Sequence, residues 1–202
     1  MKNTLITRNI DFETGQDENG DKWISGYYIV FNEPYQICDG ITESIDPNAF
    51  TNTLQDDIRC LWNHNTDLIL GRTAANTLSL KVDSHGVYAR CLVNPNDSMA
   101  LDAWARVSRK DVTGASFGFD IVREDSEVLT DGSVHYTIRE VKLYEISPCI
   151  FPAYENTAIE ARQKDAENIK KRMNDKWRTD MLNKLKGVEE NGTQKSDVKE
   201  KS

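Results

Sequence analysis

Apolar and polar positions alternate or cluster in short runs over most of the chain, and polar turn residues separate the runs. The segment "WISGYYIVF" (Trp23–Phe31) is aromatic and β-branched and follows the polar stretch "QDENGD", which predicts a strand entered from a hairpin-type loop. Further strands are predicted at Ile58–His64, at Leu78–Val93 with a turn at Ser84-His85-Gly86, at Ala115–Glu124 and at Val134–Ser147. Between them the period changes. Leu101, Trp104, Ala105 and Val107 or Ser108 recur at helical spacing behind a polar cap at Asn96–Ser98, so a helix is predicted there, ending before Gly114. A shorter helix is predicted at "DPNAFTNTL", where Pro47 follows a capping Asp46. This pattern describes a mainly β domain with helices, an α+β class.

Beyond "SPCIFPAYENTAIEAR" the pattern changes again. Pro148 and Pro152 are expected to bar a regular central strand, so that the last strand frays into a connector. Ile169, Met173, Trp177, Met181 and Leu185 then recur every four residues, predicting an amphipathic helix with one apolar stripe. The segment "GVEENGTQKSDVKEKS" lacks the apolar residues needed to fold and reads as a disordered tail. The expected organisation is a domain over residues 1–161, a basic helix over 162–186 and a tail over 187–202.

With 202 residues the chain has room for one well-buried domain with appendages. Its 38% hydrophobic and 29% charged residues are those of a soluble protein, and no apolar run approaches the roughly 20 residues that cross a bilayer. The start "MKNTLITRNIDFE" has no apolar core of a secretory signal, so the chain is expected in the cytoplasm of the cell that makes it. Cys38, Cys60, Cys91 and Cys149 are too far apart for C-x-x-C metal or redox chemistry and read as free, mostly buried thiols. No P-loop, dinucleotide fingerprint or internal repeat occurs. The net charge of −8 argues against general affinity for nucleic acid, although Arg162–Lys186 carries +5 and the remainder −13.

One motif carries chemistry. Gly114-Ala115-Ser116-Phe117-Gly118 fits G-x-S-x-G, the spelling of a hydrolase nucleophile elbow. That elbow needs a strand before the serine and a helix after it, with an acid and then a histidine downstream. Here a helix precedes Gly114, a strand follows Ser116, and the sole downstream histidine, His135, comes too soon for the intervening elements. A serine still becomes a nucleophile where an imidazole can take its proton. His85 lies in a polar turn and His135 follows another, whereas His64 ends "CLWNHN" between two asparagines. His64 therefore reads either as a strand-end surface residue or as the base.

Taken together, "LWNHN", "LGRT", the hairpin with "GVYAR", the helix, "GASFGF", "LYEIS" and "FPAYENT", in that order from Trp23 to Arg162, strongly resemble the caudovirus prohead serine proteases, the capsid maturation proteases of tailed phages. The resemblance implies a β-barrel core akin to the herpesvirus assemblins, followed here by the amphipathic helix. It implies Ser116 as nucleophile and His64 as general base, with Glu145 of "LYEIS" in the acidic position that orients the imidazole. The alternative for Glu145 is a solvent-facing strand residue, and His135 and His85 remain candidates because assemblins use a second histidine. Asn65 and Ala115 depart from the family's usual acid and Met without removing a proton-transfer group.

The implied reaction is acyl transfer without metal or organic cofactor. Gly71 and Arg72 of "LGRT" are candidates for the oxyanion or substrate site, and Phe117 for core or pocket wall. The implied partner is the major capsid protein or its scaffold extension inside the assembling prohead in the host cytoplasm, with homo-oligomers and cleavage of its own tail as further expectations. A non-catalytic assembly or scaffold-binding protein is the alternative. If the basic helix carries the chain into the shell, a chain ending at Ala161 keeps peptide cleavage and loses co-packaging with capsid protein, as read by sedimentation of assembled shells. Retained packaging excludes that role.

Overall fold

Strands dominate the computed structural model, which describes residues 4–150 and 156–196. In chain order they are β1 (Thr4–Asn9), β2 (Glu13–Gln16), β3 (Lys22–Val30), β4 (Tyr35–Cys38), β5 (Ile41–Ile45), β6 (Arg59–Trp62), β7 (Asn65–Arg72), β8 (Leu78–Val82) and β9 (Gly86–Leu92). Helix α1 (Ser98–Ser108), β10 (Gly114–Val128), β11 (Val134–Cys149) and helix α2 (Asn156–Ser196) complete the series. The chain divides into two units, Met1–Ile159 and Glu160–Ser202.

The first unit holds two sheets. The larger has seven strands in the path β1-β10-β11-β5-β4, with β6 also on β11 and β7 on β6; the smaller has four in the order β2-β3-β9-β8. Strand β11 organises the larger one. Along one edge it pairs antiparallel with β10, and its other edge takes two parallel partners in succession, β5 over Val134–Ile138 and β6 at Glu145–Ile146. Among the described residues no closed barrel forms, which corrects the expectation of a barrel core. Closure needs the outermost strands to join, and β1, β4 and β7 each pair on one side only.

Alternation decides what each strand buries. Ala115 and Phe117 of β10, Ile146 of β11 and Ile24, Ala89 and Cys91 of the smaller sheet belong to one core, closed by Ala100, Ala103 and Val107 from one face of α1. Helix α1 begins where the sequence predicts it, because Asp97 accepts hydrogen bonds from the Met99 and Ala100 amides. No disulfide joins the cysteines among the described residues, and Cys60, Cys91 and Cys149 are buried.

Three expectations change. "DPNAFTNTL" forms successive turns rather than a helix: Asp46 accepts from the Asn48 amide at 2.8 Å, and Ala49, Thr51, Thr53 and Asp56 each donate to the residue three before. This local bonding competes with a helical ladder. Pro148 lies inside β11 without breaking it. Its carbonyl, and with it the missing N–H, faces the turn after β6 rather than β10, so no bond of the β10–β11 ladder is lost. Helix α2 outruns the predicted helix at both ends and includes Gly187–Ser196 of the predicted tail. Pro152 and the rest of residues 151–155, like residues 197–202, lie outside the described residues.

Phe117 is 1% exposed, stacks on Phe119 at 4.9 Å between ring centroids and meets Phe50 edge-on at 6.2 Å. Phe117→Ala should cost about 3–5 kcal/mol of stability, the range for deleting a buried aromatic ring. Chemical denaturation would show it as a lowered midpoint.

Candidate active site

The antiparallel register of β10 on β11 sets Ser116 opposite Ser147 and Gly118 opposite Glu145. Because side chains alternate along a strand and paired residues share a face, all four lie on the face away from Phe117. Glu145 occupies the space above Gly118. A Cβ there would come within 2.6 Å of Glu145 Oε1, so the glycine's missing side chain is what admits the carboxylate.

His64 reaches this face from a tight turn. Trp62 pairs with Asn65 across the β6–β7 hairpin, leaving Asn63 and His64 as its two corner residues, both left-handed at φ 53° and 61°. This is the geometry of a type I′ turn, for which Asn-Gly is the favoured pair. A histidine in the second corner position costs on the order of 1 kcal/mol relative to glycine. The corner is fastened to β11 by the Asn63 amide, which donates to the Pro148 carbonyl at 3.0 Å, and by the Asn63 side-chain oxygen, which accepts from the Ile150 amide at 3.2 Å.

From there His64 Nδ1 meets Glu145 Oε1 at 2.8 Å. An ionised carboxylate can only accept, so Nδ1 carries a proton, and in the neutral imidazole the lone pair is then on Nε2. The second carboxylate oxygen, Oε2, accepts from the Ser147 hydroxyl at 2.6 Å, and the same Ser147 oxygen accepts from the His64 backbone amide at 3.3 Å. Side-chain exposure is 25% for His64 and 12% for Glu145, so the pair is screened only in part.

Ser116 is fully buried, and its hydroxyl has no hydrogen-bond partner among the described residues. An unsatisfied buried hydroxyl costs about 1–3 kcal/mol, and such a group in a native structure calls for an explanation. On its other side β10 is flanked by β1, with Thr7 in register with Ser116.

The sheet divides the remaining candidates. Arg72 pairs with Arg59, and Arg59 with Glu145, so Arg72 shares the face of Glu145 but lies two strands away. Its guanidinium is committed to Asp57, at 2.8 Å from Nε and 2.5 Å from Nη2. That bond holds the Asp57 carboxyl below its usual range. Gly71 faces the opposite way, in the row of Cys60, Ile146 and Phe117, and its absent Cβ makes room for Cys91 Sγ at 2.6 Å and the Thr77 carbonyl at 2.9 Å. Phe117 is in the core. His135 is held between the hydroxyls of Thr42 and Ser44 on β5, and His85 packs against Tyr27. The sequence reading passed over Ser147, although its period-two spacing from Glu145 puts it on the same face.

A model of the caudovirus prohead serine protease family matches residues 9–172. The prohead protease of Enterobacteria phage HK97 is 33% identical over 152 residues, which cover 73% of this chain. The match spans 62% of that relative's length. No solved structure matches.

Gly118→Ala tests the space over β10. The added methyl should push the carboxylate off His64, so the low-field Nδ1 proton resonance of the imidazole should vanish from the NMR spectrum while far-UV circular dichroism stays unchanged.

Proposed function

Because this chain belongs to the caudovirus prohead serine protease family, we propose that it is a serine endopeptidase of capsid maturation, with Ser116 as nucleophile, His64 as general base and Glu145 as the acid that orients the imidazole. The observation that carries this reading is the His64 Nδ1 bond to Glu145 Oε1, which fixes the tautomer whose Nε2 can take a proton. Its setting adds support. Ser116 shares the sheet face of Glu145, and no bond among the described residues already engages its hydroxyl.

In the proposed cycle a peptide carbonyl carbon is attacked by Ser116 Oγ as the hydroxyl proton passes to His64 Nε2. The imidazolium, held against the Glu145 carboxylate, returns that proton to the leaving amine as the C–N bond breaks. Water then adds to the acyl-enzyme, giving up a proton to Nε2, which passes it to Ser116 Oγ as the acyl C–O bond breaks and the carboxylic acid product leaves. No hydrogen bond joins Ser116 to His64 among the described residues, so substrate binding has to bring the hydroxyl within reach of Nε2. Catalytic hydrogen bonds commonly tighten only in the complex.

The proposed substrate is the major capsid protein or its scaffold extension inside the assembling prohead. On helix α2, Met173, Trp177 and Met181 of the predicted stripe are exposed, and this apolar row on a basic segment is the surface proposed to meet that partner.

The deciding experiment is intact-mass analysis of the capsid protein after incubation with wild type, Ser116→Ala and His64→Ala. Discrete fragments from wild type and full-length protein from both variants are expected, with Glu145→Gln slowing cleavage by roughly 10²–10⁴-fold. Identical behaviour of all the chains, with capsid binding retained, would replace this reading with that of an assembly protein.

A further inference from the structure

The Glu145 carboxylate has two oxygens, and only Oε1 is used by His64. What keeps this carboxylate in the plane of the imidazole is a separate question from what it does there, since a glutamate has three rotatable bonds and one hydrogen bond leaves its terminal torsion broad. Two contacts limit it. Gly118 lies directly beneath its Cγ, Cδ and Oε1, and the Ser147 hydroxyl donates to Oε2 at 2.6 Å, a short charge-assisted bond.

Ser147 has a second bond on the same atom. Its oxygen accepts the backbone N–H of His64 at 3.3 Å, so one hydroxyl ties the acid and the hairpin corner that presents the base. A hydroxyl has one proton to donate and two lone pairs, and here the proton goes to the carboxylate and a lone pair to the amide. Ser147 is fully buried and sits across from Ser116 in the β10–β11 register. Burial in such surroundings excludes water from replacing either bond without cost.

We infer that Ser147 is a positioning residue that locks the Glu145 carboxylate and the His64 corner into one arrangement, so that Nε2 is aimed rather than free to swing. This rests on the Ser-His-Glu reading given above. It differs from a simple packing role in what it asks of the atom at this place: volume alone is not enough, and a strong donor is required.

Three substitutions separate these roles in the full-length chain. Ser147→Ala removes the hydroxyl, Ser147→Cys keeps a similar volume with a weak donor, and Ser147→Thr keeps the hydroxyl. Two readouts are taken on each. The first is the low-field proton resonance of His64 Nδ1–H, which reports its bond to a fixed carboxylate. The second is phosphonylation of Ser116 by a fluorophosphonate, followed by intact mass and resolved into a binding constant and a maximal rate. In the Ala and Cys variants the resonance is expected to broaden away. The maximal rate should fall roughly 10–100-fold, the range for losing an outer partner that orients a reactive ligand, with the binding constant unchanged. Ser147→Thr should restore both, and the Cys variant carries the test if the Ala variant fails to fold. A Cys variant with wild-type resonance and rate overturns the inference. If wild-type Ser116 takes no label, the peptidase reading fails, and the resonance alone then decides whether Ser147 positions the pair.

Discussion

Every group at the site depends on the ladder between β10 and β11. That register puts Gly118, with no side chain, beneath the Glu145 carboxylate and Ser116 beside Ser147, while the same two strands bury Phe117 and Ile146 on the other face. A slip of one residue would turn the whole polar set into the core and the phenylalanine out of it, an exchange costing far more than any hydrogen bond at the site could return. The core thereby fixes the chemistry without touching it. The tight parallel contact of β6 on β11 extends the same control to the third element, because Arg59 and Cys60 align with Glu145 and Ile146 just before the hairpin turns.

Against this firm frame the site itself is locally unfavourable. His64 takes a left-handed corner where glycine would be easier, and the Ser116 hydroxyl is buried without a partner among the described residues. Each departure is worth on the order of 1 kcal/mol or more, small beside the core. Here a left-handed corner and a buried hydroxyl without a partner among the described residues lie on the sheet face that carries the His64–Glu145 contact. That arrangement differs from a structural ion pair such as Arg72 with Asp57, whose side chains are more exposed and whose carboxylate Arg72 shares with Arg59.

Much of this could be read from the residues in order. Period-two runs identified β3, β8, β9, β10 and β11, and a cap with helical spacing identified α1, because those elements bury one face and expose the other. The short strands β1, β2, β4, β5 and β7 were missed, since their residues carry little apolar alternation and they form by pairing rather than by propensity. The turn at Asn63-His64 was legible in principle as an Asn-Gly hairpin signal with its glycine replaced, yet it was read as the end of a strand. Strand faces are harder to read from order alone: closeness in sequence to Arg72 and Ser116 does not say which face a side chain takes, and a one-residue step reverses it, so Gly71 faces away from Arg72, and Phe117 lies in the core, one of its two expected places.

The two halves of the site are far apart along the chain: His64 and Glu145 are separated by 81 residues and meet through a parallel pairing that no local turn can nucleate. Contacts of such span form late, after the loop between them has been closed by other structure. While the chain is being synthesised the hairpin that holds the imidazole emerges long before the strand that holds the carboxylate. An unfinished chain that has exposed the hairpin but not β11 therefore carries the imidazole without its carboxylate, and the order of translation keeps the two apart until β11 is made.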